Sequence, residues 1–207
     1  MLSSGGDTPL TSREGEDGGV RFTRAQLESY RDAVIDDLMP EHPLLVFVGI
    51  NPGLWTAATN TPFAHPGNRF YPALAAAGII PRVPAFSEGF TDDDRALFLD
   101  RGIGISNLVR RATVRADELS RSELREGAER LETDAAAWRP RVVAVVGLTA
   151  YRQGFARPRA RQGRQEERIA DAELWVVPNP SGLNAHDTIA TLAEAYAGPA
   201  RAAGIIS

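Results

Sequence analysis

The run Leu44-Leu45-Val46-Phe47-Val48-Gly49-Ile50 offers no polar side chain. An unbroken apolar stretch of this length is the pattern of a strand buried on both faces of a parallel sheet. It ends at Asn51-Pro52-Gly53, a turn that a helix cannot tolerate. A second such strand is Arg141-Val142-Val143-Ala144-Val145-Val146-Gly147. A third is Leu174 to Val177, which runs into Pro178-Asn179-Pro180-Ser181-Gly182. Ile103 to Ser106 reads as a shorter fourth.

Helical periods fall between these strands. Thr23 is placed to cap a helix reaching about Leu38, with Leu27, Tyr30, Val34, Ile35 and Leu38 on one face. Further helices are predicted over 68–77, stopped by Gly78, and over Thr91 to Asp100 with three acids in the first turn. Ser120 to Trp138 carries a Ser120/Glu123 capping box, and shorter helices follow over 149–154 and 187–197. Strands alternating with helices predict an α/β domain: a mostly parallel central sheet flanked by helices on both faces. We expect a disordered tail over residues 1–20, which are Gly, Ser, Thr and acid, and one domain over 21–207.

At 207 residues the chain can bury roughly 70% of the surface it exposes when unfolded. No apolar run approaches the roughly 20 residues that span a bilayer, and the amino terminus lacks a basic-then-apolar signal, so a cytoplasmic protein without membrane contact is expected. Two absences narrow the chemistry. Without cysteine there is no thiolate nucleophile, disulfide or thiolate-bound metal. Without lysine, all 23 basic side chains are arginine, which excludes Schiff-base attack by a side-chain amine. His42, His65 and His186 show no metal-ligand spacing, so no metal or other cofactor is expected; His65 reads as a loop-stabilising hydrogen bonder.

The net charge of −4 conceals a segregated distribution. Residues 101–168 hold 15 Arg against 9 acids, a local balance of +6, whereas residues 1–43 hold 4 against 9. The densest run is Arg157, Arg159, Arg161, Arg164 and Arg168, broken by Pro158 and Gly163. It reads equally as a solvated loop or as a strip contacting phosphates, with which guanidinium groups pair in a forked geometry. Asp92, Asp93 and Asp94 read as helix-start acids, the alternative being that one of them points into a cleft as a base.

In open α/β sheets the ligand crevice lies beyond the carboxyl ends of the strands. Gly49 to Gly53 and Asn179 to Asn184 occupy two such ends and are rich in Asn, Pro and Gly, suited to a planar uncharged group. No Gly-x-Gly-x-x-Gly or Gly-Lys-Ser/Thr cradle is present. Gly49-Ile50-Asn51-Pro52-Gly53, Phe63-Ala64-His65-Pro66-Gly67-Asn68-Arg69-Phe70 and Asn179-Pro180-Ser181-Gly182-Leu183-Asn184, in that order, resemble the mismatch-specific uracil-DNA and thymine-DNA glycosylase family. Gly104 to Val109 and Gly147 to Phe155 fit the same pattern, and the resemblance covers roughly residues 44–200.

The resemblance implies a monofunctional DNA glycosylase with the three-layer fold of uracil-DNA glycosylases. Its expected partner is double-stranded DNA bearing uracil opposite guanine, with thymine and bulky cytosine adducts as further candidates, and it would act as a monomer. Such an enzyme swings the target nucleotide out of the stack before cutting the base from the sugar. Asn51 matches the residue that positions the attacking water. Ile50, Phe63 and Asn107 match the base-binding positions, Phe63 by stacking. Ser181, Gly182, Leu183 and Asn184 match the wedge that fills the vacated space, with Leu183 as its apolar tip. Some bacterial members have a basic residue at the position of Ala185, and smaller residues are common where this chain has Trp55 and Thr56. The alternative reading keeps the pocket without catalysis, as a damaged-DNA binding protein. A second rival is an unrelated α/β enzyme acting on a small nucleoside.

Overall fold

The computed structural model describes residues 13–14 and 20–207. A minimal ladder pairs β1 (Arg13–Glu14) with β2 (Val20–Arg21); the remainder of the expected tail lies outside the described residues. The apolar run after Pro43 forms β3 (Leu45–Gly49), buried at every position. Flanking it in parallel are β4 (Ile103–Asn107) and β5 (Val142–Val146). An antiparallel edge strand, β6 (Gly163–Ile169), pairs with β7 (Ala172–Val177), which itself lies parallel to β5; the order is β4-β3-β5-β7-β6.

The side chains of this sheet alternate between two cores. Leu45, Phe47, Ile103, Ile105, Val142, Ala144 and Val146 face three helices: α3 (Phe70–Ala76), α4 (Asp92–Leu99) and α7 (Ile189–Ala203). Val46, Val48, Val143, Val145, Leu174 and Val176 face α5 (Arg121–Trp138) and α6 (Leu148–Gly154). The expected three-layer α/β domain with helices on both faces is what forms. Phe47 meets the rings of Phe70 and Tyr196 at centroid distances of 5.2 and 5.8 Å. Truncating such a fully buried ring to alanine costs about 3–5 kcal/mol. Among the described residues no helix is long and apolar enough to cross a membrane.

Four elements differ from the reading of the sequence, among them α7, which runs six residues past the expected Ala197 to Ala203. Thr23 does cap α1 (Arg24–Glu28), with Gln26 completing a capping box, but the helix ends ten residues before Leu38. Asp32 adopts φ 61°, and the chain beyond turns to run along the outer edge of β4: Asp32 N–H donates to Ala112 O at 2.9 Å, and Leu38 exchanges backbone bonds with Ile105. Pairing with an open sheet edge outcompetes further helical turns. α2 (Leu54–Thr59) starts directly after Gly53, where only a turn was read. β6 arises from the arginine-rich segment, its charged side chains alternating outward, as suits a strand at a sheet edge.

Candidate active site

The carboxyl ends of β3, β4, β5 and β7 converge on a cavity of about 500 Å³. Its lining includes Ile50, Asn51, Phe63, Asn107, Ser181, Gly182 and Leu183, so seven of the eight site positions inferred from sequence share one cleft. Asn184 is the exception. Its amide nitrogen donates to Asn179 O at 2.9 Å and Asp187 Oδ2 at 2.7 Å, and its Oδ1 accepts from His186 N–H. Asn184 thus shapes the loop from within.

Asn51 is oriented unambiguously. Its Nδ2 lies 3.1 Å from both Pro52 O and Arg111 O and 2.8 Å from Thr113 Oγ1. Carbonyl oxygens only accept, so the nitrogen of the carboxamide must face them. The Thr113 hydroxyl donates in turn to Arg115 O at 2.8 Å, which leaves its lone pairs for Asn51. The Asn51 carboxamide oxygen is consequently left without a protein partner among the described residues, on a side chain that lines the cavity. Thr113 is buried and joins the Asn51-Pro52 turn through its own backbone, its N–H donating to Pro52 O. The reading of the sequence missed this residue: a single threonine in an arginine-rich stretch carries no motif signal.

Arg111 ties this support to the body of the protein. Its guanidinium bonds Glu123 at 2.6 Å and Asp32 at 3.0 Å while its carbonyl receives Asn51. The Glu123 carboxyl is pulled down to about 2, chiefly by the hydrogen bond from Arg111 and then by those from Ser120. At the end of β4, Arg130 donates to the carbonyls of Asn107 and Leu108 at 2.8 and 2.7 Å, fixing the backbone from which the Asn107 side chain enters the cleft. Position 49 must be glycine: a Cβ there would stand 2.6 Å from Asn107 Oδ1 and 3.2 Å from the Phe63 ring. The Asn107 carboxamide has no protein partner among the described residues, so its donors and acceptor are open to a ligand in the cleft. Phe63 stacks on Phe70 at 4.1 Å and presents its other side to the cleft.

The opposite wall is the loop after β7. Arg69 clamps it from the residue that precedes α3: its guanidinium donates to the carbonyls of Ser181 and Asn184, each at 2.7 Å, and to that of Asp187. Arg69 N–H also donates to Pro180 O at 3.1 Å. Gly182 abuts Gly67, where a Cβ would sit 2.8 Å from the Gly67 carbonyl. The loop thus holds its shape while Leu183 stands 86% exposed at its tip, which excludes a place in the core for that side chain. His65 accepts from Gly67 N–H through Nδ1, the loop-stabilising part expected of it.

Of the outer wall, the reading of the sequence named Trp55 alone. Leu27 of α1, Trp55 of α2, and Val114 and Ala116 after β4 complete the lining. Trp55 is pinned by a bond from Nε1 to Ser87 O and by the edge-on ring of Phe22 at 5.1 Å. These contacts are tertiary, and no local pattern announces them. None of Asp92, Asp93 and Asp94 lines the cleft. Asp94 completes a capping box with Thr91 and pairs with Arg82 at 2.7 Å; burial pushes its carboxyl up, but the bonds from Arg82 and Thr91 together hold it below its usual range. Among the described residues no group of His, Asp and Glu is placed to hold a metal ion.

A mostly parallel α/β sheet whose strand ends surround a mainly apolar cleft with a few convergent carboxamides has the form of a small-ligand site at the place where open α/β sheets bind them. The family model of the uracil DNA glycosylase superfamily matches residues 36–197, and the chain belongs to that superfamily. Its members are DNA glycosylases, hydrolases of N-glycosidic bonds in DNA. The chain is also similar, at 14% identity and a TM-score of 0.48, to a solution NMR structure described as "a putative Uracil DNA glycosylase from Methanosarcina acetivorans", over 80% of this chain and 98% of that one.

Proposed function

We propose that this glycosylase is monofunctional and excises uracil from G:U mismatches in duplex DNA, with thymine opposite guanine and cytosine adducts as further substrates. The observation that carries the reading is that Asn51 and Leu183 line one cleft, the first with its carboxamide oxygen unpartnered among the described residues, the second exposed at the tip of a clamped loop.

The chemistry follows from what each group can do. Leu183 enters the stack in place of the extruded nucleotide; extrusion costs a few kcal/mol, less for a mispaired base. The freed base lies against Phe63, its edge toward Asn107 and the Ile50 backbone. The Ile50 carbonyl is held in place by Val109 N–H at 2.9 Å. Asn51 Oδ1 accepts a hydrogen bond from a water and aims its oxygen at C1′. As the C1′–N1 electron pair departs with the base, the water oxygen bonds to C1′. A neutral carboxamide is too weak a base to keep the water's proton, which passes to solvent or to the pyrimidine anion. The sugar is left with a hydroxyl at C1′. No lysine amine exists to open it, so the abasic strand stays intact.

Incubation with a labelled duplex containing one dU opposite dG tests this. We expect free uracil and a strand that breaks only after hot alkali. Binding without release of the base would establish the non-catalytic alternative, and uracil release from a free nucleoside but not from DNA would establish the small-nucleoside enzyme.

A further inference from the structure

The arginine-rich segment contributes nothing to the cleft, yet two contacts bring its first part to the same end of the sheet. Gly163 opens β6 opposite Val176, one residue short of the end of β7, so residues 155–162 approach the end from which Pro178 leaves. On the other side, Gly154 ends α6 against the first turn of α5, where a Cβ would stand 2.8 Å from Leu124 O. That turn lies beyond the carboxyl end of β4, because Gly127, one turn further along α5, rests directly on the Leu108 carbonyl.

Accounting for ion pairs separates the arginines of this segment. Arg157 pairs with Glu167 at 2.9 Å and Arg164 with Glu173 at 3.0 Å, while Arg168 donates to the Asp171 carbonyl. Arg159 and Arg161 are exposed, and their guanidinium groups have no partner among the described residues. Their backbone is nonetheless fixed. Arg152 donates twice to Ala160 O, at 3.0 and 2.7 Å, Ala160 N–H donates to Arg157 O, and Pro158 restricts the turn. Two uncompensated guanidinium groups on a braced loop suit a partner with repeated anionic oxygens.

We propose that Arg159 and Arg161 hold backbone phosphates of the duplex flanking the extruded nucleotide, on the side of the Asn179–Asn184 loop. The proposal rests on the glycosylase reading and extends its footprint. β6 stands three strand spacings from β3, about 14 Å. That is roughly four base steps along one DNA strand. Phosphates within that reach carry no sequence information, so the pair supplies affinity and register while the cleft supplies selectivity.

The test is the salt dependence of binding to a duplex with a central, uncleavable 2′-fluoro-deoxyuridine opposite dG. In Arg159→Gln/Arg161→Gln, the slope of log K against log salt is expected to fall by about 2. Arg159→Lys/Arg161→Lys should keep the wild-type slope. Arg101→Gln removes one exposed, unpartnered charge at the amino end of β4 and should leave the slope unchanged. A wild-type slope in the Gln pair, or an equal loss per charge in Arg101→Gln, overturns the phosphate strip while leaving the glycosylase reading intact. A wild-type protein that fails to bind the duplex overturns both.

Discussion

Thr113 Oγ1 accepts from Asn51 Nδ2 at 2.8 Å and donates to Arg115 O at the same distance. The hydroxyl works as a relay with a fixed direction, and that direction holds Nδ2 and leaves the oxygen of this cleft-lining carboxamide without a protein partner among the described residues. Thr113→Val keeps the shape and removes the relay. A single neutral hydrogen bond contributes about 1 kcal/mol. Its loss should lower single-turnover excision roughly five- to tenfold. Duplex affinity should be unchanged and Thr113→Ser should restore the rate. Equal losses in Kd and rate would assign Thr113 to folding alone.

Arg69 offers a second prediction, because three loop carbonyls converge on one guanidinium. Arg69→Ala should loosen the Asn179–Asn184 loop and reduce excision from paired duplex more than from single-stranded DNA, where no gap needs filling. Arg69→Lys cannot reach three acceptors in a planar fork and should recover only part of the loss. The ratio of the two substrates' rates is the readout.

Leu183→Ala tests the tip itself. At 86% exposure its side chain contributes little to the free protein, so the melting temperature should barely move. Excision from a well-paired duplex should fall at least tenfold while that from a single strand stays near wild type. A parallel fall on both substrates would remove the wedge role.

Acid should release the support of Asn51 in a definite window. Glu123 has its carboxyl lowered to about 2 by Arg111 and Ser120, below the usual 4.5. A carboxylate lowered by folding stabilises the native state fully above its unfolded value, and that stabilisation is lost as pH falls toward the folded one. Glu123→Gln should therefore lower the melting temperature at pH 7, and the difference from wild type should shrink between about pH 4.5 and pH 2. A constant difference across that range would deny the Arg111–Glu123 pair its ionic character.

What the sequence made legible follows from where the physics is local. Leu44 to Ile50 and Val142 to Val146 have to be buried strands because nothing in them is polar, and the turns that end them mark the cleft. The Ser120/Glu123 box starts α5 at the predicted residue because both partners sit within one turn. β6 stayed hidden because Gly163 to Ile169 has one buried apolar residue, and its strand state depends on pairing with β7. The helix read through Leu38 fails for the same kind of reason: its apolar spacing is real, but β4 offers an open edge nearby. In the cleft, motif residues and Trp55 beside the first motif were visible, whereas Thr113, Arg69's grip on the loop, and the wall of Leu27, Val114 and Ala116 depend on contacts between distant segments.

The most direct measurement compares Asn51→Ala with wild type in single-turnover release of uracil from a G:U duplex, alongside Kd for the uncleavable analogue. From the proposed role of the carboxamide, positioning a water, we predict an unchanged Kd and a rate lowered by about 10²-fold or more. Excision by Asn51→Ala at the wild-type rate would contradict the account.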